Sequence, residues 1–259
     1  MLAQLGHLLL QVVDAAMIGR VGVDSLAAAA FGTNVTHLFM LFGFGLNMSV
    51  HIFVSQDAGK GKREDCGQWL IAGLLISFVF GLFCALVFSL GLPLLSYFGQ
   101  TAEVVELSKA YVLYLGWSFV PMLLHHCLKN YSEALGYVWI PIVVLAAGFV
   151  LNVFLNWVFI YGNFGIHPMG LEGEGLATYL ARLLMMLLMG IVVWRYRLQG
   201  DLRGRVIFEL DRLKKMLSVG IPGAFQVLFE AGAFVFSAIM MGWIGVVTQA
   251  AHHIAITYA

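Results

Sequence analysis

Seven stretches of this chain are long and apolar enough to cross a lipid bilayer as helices, and that property limits the fold more than any motif in it. About 20 apolar residues span the hydrocarbon core. With no water there, the backbone must close its own hydrogen bonds, which a helix does within one segment. The stretches run at about 1–18, 25–54, 68–92, 104–124, 138–160, 175–194 and 216–241, and an eighth starts near Val246. The second is longer than a bilayer requires, so it tilts or projects beyond the lipid. Hydrophobic residues make up 61% of the chain and charged ones 11%, against roughly 45–50% and 25% in soluble domains. The expected fold class is an all-α integral membrane protein.

The formal net charge is zero, so nothing in the balance points to nucleic acid or to an acidic partner. Where the basic residues fall is more informative. Lys60, Lys62 and Arg63, then Lys129, then Arg195, Arg197, Arg203, Arg205, Arg212, Lys214 and Lys215 occupy alternate connections; Arg20 and Lys109 fall on the other side, and Arg182 lies within the sixth stretch. The positive-inside rule puts the richer connections, and with them the amino terminus, in the cytoplasm. The expected location is the inner (plasma) membrane, crossed several times. Cys66, Cys84 and Cys127 are odd in number and lack metal-ligand spacing, so neither a disulfide framework nor a zinc site is expected. The chain contains no HExxH, no GxSxG and no phosphate-binding GxxxxGK[ST], and neither an enzyme nor a bound cofactor is expected.

Polar residues inside the apolar stretches need a reason to be there. Asp14 sits inside Leu8–Gly19, where an ionised carboxylate costs about 2.5–3.5 kcal/mol on insertion scales, and Gln11 shares its helix face. Asn152 and Asn156, four residues apart, also share a face. Two readings stand for such a pair: interhelical hydrogen bonding, or a site for a hard cation, which takes several oxygen ligands. One carboxylate, two amide carbonyls and the Thr178 hydroxyl would suit sodium; Thr178 can equally bond back to its own helix. Glu230, with Gln226 one turn earlier, is a second intramembrane acid, and a carboxyl in low dielectric can carry a proton or sit protonated and silent. Asn34 and Asn47 are candidates for lining the same cavity or for helix contacts. His125 and His126 are adjacent and point to different faces, which disfavours chelation. Met185, Met186 and Met189 are either an adaptable contact surface or lipid-facing filler.

An internal repeat bears on organisation. Met17–Val23 with Ala27 and Ala28 aligns without gaps to Met240–Val246 with Ala250 and Ala251, and six of the nine positions are identical. Six crossings separate the copies, so they run in the same direction, as in transporters whose halves are related by an axis along the membrane normal. With this order, the residues Val13-Asp14-Ala-Ala-Met17-Ile-Gly19-Arg-Val-Gly22, Ser25-Leu-Ala-Ala28, Gln56-Asp-Ala-Gly59, Leu151-Asn152 to Asn156, Ile160-Tyr-Gly162, Gly175-Leu-Ala-Thr178 and Gly220-Ile-Pro222 to Glu230 resemble the MATE (multidrug and toxic compound extrusion) transporters, in particular their NorM-like branch.

The resemblance implies a two-lobe exporter of cationic compounds driven by sodium or proton entry, monomeric when full length. Asp14, Asn152, Asn156 and Thr178 match its amino-lobe cation site, and Glu230 matches the acid of the carboxy lobe's first helix. Asn at 156 leaves Asp14 as the single carboxylate of that cluster, which sodium alone would neutralise. The organisation implied is an amino-terminal six-helix lobe at 1–194, a cytoplasmic connection at 195–215, and the first one to two helices of a second lobe at 216–259. On that reading the chain is a partial, non-transporting piece. A lipid-linked sugar flippase of related architecture is the nearest alternative. It calls for a basic cavity, whereas the interior of the spans, away from their ends, holds only Arg182 beside two acids. A non-transporting membrane scaffold is the other, and it gives no reason for acids and paired amides within the spans.

Overall fold

The computed structural model describes residues 12–195 and 209–244, which are almost wholly helical. The helical residues 12–19 form α1, followed by α2 (Val23–Gly59), α3 (Arg63–Gly91), α4 (Ala102–Ala134), α5 (Trp139–Tyr161), α6 (Leu171–Arg195) and α7 (Leu210–Ile244). Six of them, α2 to α7, are long and apolar enough to cross a membrane. The 37 residues of α2 make a rod of about 55 Å at 1.5 Å per residue, well beyond the ~30 Å hydrocarbon core. Gln11 lies outside the described residues, as do Gly245, Val246, Ala250 and Ala251 of the second copy of the repeat.

Two helices run furthest beyond their apolar stretches. α4 continues past Leu124 to Ala134 because its charged end is internally paired, Lys129 Nζ donating to Glu133 Oε2 at 3.1 Å one turn on. Lys129 therefore belongs to a helix end rather than to a loop. α7 starts at Leu210, where Glu209 and Asp65 both accept from the Arg212 guanidinium at 2.7 Å. That pairing lets a charged segment stay helical.

α2 and α4 run together through the middle of the bundle. α2 packs on α4, α3 and α7; α4 packs also on α6 and α3; α5 reaches the bundle through α6. Small residues permit the closest crossings. At Gly45 in α2 a Cβ would lie 2.3 Å from Cα of Ala224 in α7, and at Gly173 in α6 it would lie 2.8 Å from the carbonyl carbon of Phe159 in α5.

Polar atoms between helices are mostly satisfied. Asn47 of α2 donates to the Leu123 carbonyl at 3.2 Å and accepts from Ser77 Oγ at 2.7 Å, while Asn130 donates to the Asn47 carbonyl at 2.9 Å. Asn47 thus ties α2, α3 and α4 together, and His126 of α4 stacks on Phe44 of α2 with ring centroids 4.3 Å apart. Met189 is fully buried in the core with Val50, Tyr131 and Met216, so it is neither surface nor lipid-facing filler.

Candidate functional site

The α5–α6 hairpin and α1 converge on one polar string. Gly162 stops α5 in a left-handed conformation (φ 74°) that suits glycine. The chain then folds back, with Met169 N–H donating to the Phe159 carbonyl at 2.9 Å. This return, with the close approach at Gly173, sets α6 beside α5 in a register that brings Thr178 to Asn152. On the other flank Tyr161 Oη donates to the Met17 carbonyl at 3.0 Å, and Ile18 is fully buried in a cluster with Ile160, Leu171 and Tyr111. α1 is thereby held against α5 with Asp14 facing the amides.

Asn156 Nδ2 donates to Asp14 Oδ1 at 2.7 Å and to Asn152 Oδ1 at 3.1 Å; Asn152 Nδ2 reaches Thr178 Oγ1 at 3.4 Å. The four residues singled out in the sequence therefore lie on one hydrogen-bonded string across α1, α5 and α6. Asn156 is fully buried and Asn152 is 2% exposed. One atom is left over: Asn156 Oδ1 is buried and accepts nothing from the described residues. Buried acceptors are ordinarily paired, so this oxygen is suited to an electropositive visitor. Carboxylate, amide and hydroxyl oxygens are the donors a hard monovalent cation prefers. Among the described residues no group of three His, Cys, Asp or Glu could hold a metal ion, so the donor set is not that of a transition-metal centre.

Sequence reasoning missed the neighbours of this string. Glu174 and Arg182 flank Thr178 at intervals of four on α6, which puts all three on one face. Glu174 is 4% exposed, and its Oε2 accepts nothing from the described residues. Arg182 donates to Ser118 Oγ of α4, and Tyr111 Oη of α4 pairs with Thr33 Oγ1 at 3.2 Å. The face of α6 that carries Thr178 therefore also carries a buried acid and an arginine. The Glu-x3-Thr-x3-Arg spacing was the available signal.

The remaining candidates lie elsewhere. Asn34 is exposed on α2. Asn47 is committed to the three-helix contact described above. Gln226 lines a cavity of about 290 Å³ between α2 and α7, with Met48, Ser49, Ile52, Val219 and Pro222 among its walls. Glu230 is exposed one turn further along α7.

A family model described as MatE matches residues 1–158. The probable multidrug resistance protein NorM of Mesorhizobium japonicum is 30% identical over 266 residues, covering 100% of this chain and 56% of that protein. Its namesake from Bradyrhizobium diazoefficiens is 32% identical over 259 residues, covering 99% of this chain and 56% of that protein. The chain thus spans about half the length of the curated relatives it matches. Among solved structures, the Vibrio cholerae MATE transporter VcmN in its bent form superposes with a TM-score of 0.86 at 22% identity, over 99% of this chain and 58% of that one. At that identity the likeness speaks for the fold alone.

Proposed function

This chain belongs to the MatE family, as a NorM-like member, and from that premise we propose that it provides the amino-terminal lobe and the start of the second lobe of an exporter of small organic cations, driven by sodium or proton entry. Members of the family are transporters and not enzymes, and the chain is a multi-pass membrane protein. In the proposed organisation residues 1–194 form the first lobe, 195–215 a cytoplasmic connection and 216–259 the start of the second lobe. The amino terminus faces the cytoplasm of an inner-membrane protein that works as a monomer.

The observation that carries this reading is the hydrogen-bonded string from Asp14 through the buried Asn156 and Asn152 to Thr178, with an acceptor oxygen to spare. A charge placed in lipid is expensive unless it faces a cavity or a partner. A carboxylate whose donors come from a neighbouring helix can exchange that partnership for a bound cation. Loading the site then changes how α1 packs on α5 and α6. A ligand shifts such an equilibrium only by its different affinity for the two states, so the site must differ between inward- and outward-facing forms. On this reading Glu230 and Gln226 serve the second lobe, as a coupling or substrate site.

Because such a pathway runs between two halves, the test uses the chain joined to the carboxy-terminal lobe of the Mesorhizobium relative, in vesicles with sodium and proton gradients imposed separately. Gradient-driven efflux of a cationic dye is expected, and Asp14→Asn is expected to abolish it at unchanged protein level. Undiminished efflux by Asp14→Asn would overturn the assignment. Transport of lipid-linked sugar in place of the dye would favour a flippase.

A further inference from the structure

We propose that Arg212 is a latch: its salt bridge to Asp65 and its contact with the Trp69 ring fasten the first turn of α7 to α3, and these bonds part each time that end of the bundle opens during transport. The inference rests on reading α7 as the start of a second lobe, so that the latch crosses the boundary between halves. On that reading the latched end faces the cytoplasm.

The contacts converge on one side chain. Arg212 Nη2 donates to Asp65 Oδ1 at 2.7 Å and Nη1 to the Asp65 carbonyl at 3.5 Å, while the guanidinium carbon lies 5.0 Å from the centroid of the Trp69 ring. An indole face attracts a cation in that position. Trp69 is itself held from α2, because its Nε1 donates to Asp57 Oδ2 at 2.7 Å and its ring stacks on Phe53 with centroids 4.5 Å apart. Glu209, accepting from Arg212 Nε at 2.7 Å, aims the guanidinium from its own side. One arginine thus joins α7 to α3 directly and to α2 through Trp69.

Two features suit this junction to repeated opening. The Asp65 and Glu209 side chains are 39% and 45% exposed, so water can take the place of the arginine at small cost, whereas a fully buried pair resists breaking. Beyond the latch, the α2–α7 contact is made by small residues and is incompletely filled. A Cβ at Gly220 would meet the Leu46 carbonyl oxygen at 2.9 Å, and the cavity of about 290 Å³ lies there between Ser49, Ile52, Val219 and Pro222. Such surfaces separate without interlocked side chains being prised apart. Cys66, next to Asp65, is fully buried in one cluster with Val54, Trp69 and Met216 of α7. Lifting the first turns of α7 is expected to uncover this thiol, which makes it a natural reporter.

The 259-residue chain is reacted with N-ethylmaleimide in detergent, and peptide mass spectrometry follows each cysteine. Arg212→Gln is expected to speed labelling of Cys66 about tenfold, with no change at Cys84, which lies in a separate cluster of α2, α3 and α4. Asp65→Asn keeps the ring contact and is expected to speed it less, under about fivefold. Should Arg212→Gln not fold, the wild type decides: Cys66 is expected to label faster in about 1 M than in about 0.1 M potassium chloride, because salt weakens a half-exposed pair. Unchanged labelling of Cys66, or an equal rise at Cys84, would overturn the proposal. The gating role is tested in the lobe-completed protein. Asp65→Cys combined with Arg212→Cys is expected to export dye until a short bis-methanethiosulfonate linker bridges the two positions, and again after reduction; efflux through the bridged protein would overturn that role. No efflux by the lobe-completed wild type would count against the exporter reading, and Cys66 labelling, which needs no transport, would still decide whether Arg212 holds α7.

Discussion

Two pairs of asparagines are buried in this bundle, and they are not used alike. At the α2–α3–α4 contact, Asn47 has its donor on the Leu123 carbonyl and its acceptor taken by Ser77, and Asn130 donates to the backbone beside it. At the α1–α5–α6 contact, Asn156 donates to Asp14 and Asn152 yet leaves Oδ1 without a donor, and Glu174 nearby leaves an oxygen likewise. A closed polar network is glue between helices. An open one surrounding a carboxylate has capacity for a ligand, and it holds that capacity at a cost in stability. The same residue type, equally buried, thus serves cohesion in one place and is suited to binding in the other.

Substitutions separate the two roles. The largest effect is expected from Asn156→Leu, which removes both the donor to Asp14 and the spare acceptor. Cation-driven dye efflux by the lobe-completed protein should fall at least about tenfold while yield changes little; efflux near wild type would mean that the open network binds nothing. Next is Gly173→Val, whose Cβ would lie 2.8 Å from the Phe159 carbonyl carbon. By parting α5 from α6 it should separate Thr178 from Asn152, read as a several-fold loss of efflux with the α2–α3–α4 contact intact by hydrogen exchange.

Asn47→Leu should do the opposite, costing about 1–2 kcal/mol of stability. The melting temperature in detergent should drop, with efflux per folded molecule unchanged. The smallest effect is expected from Asp65→Asn. That carboxylate is 39% exposed and pairs with Arg212 at 2.7 Å, so the loss should be under about 1 kcal/mol and should shrink further in high salt.

What could be read in the sequence follows the same division. Apolar runs of bilayer length announce helices because lipid leaves the backbone no alternative, and α2, α3, α5 and α6 match their expected stretches to within a few residues. Asp14, Asn152, Asn156 and Thr178 were legible because polar groups inside such runs are costly and their spacing defines a face. Glu174 was not. An acid in the first turn of a helix, just after a glycine-rich loop, reads as one placed to suit the helix dipole. Only the packing of α4 and α5 against α6 reveals that it is enclosed. The charged ends of α4 and α7 were hidden for a related reason, since Lys129 with Glu133 and Arg212 with Asp65 satisfy each other in space and so extend helices past the apolar runs.

The most direct test of the central claim is a crystallographic search for the ion. Crystals of the chain would be soaked in a thallium(I) salt, a heavy monovalent cation with strong anomalous scattering. The account expects an anomalous peak within coordinating distance of the Asp14 carboxylate and Asn156 Oδ1, and its loss in Asp14→Asn crystals treated in the same way. A map featureless at that position while thallium occupies other sites in the crystal would contradict it.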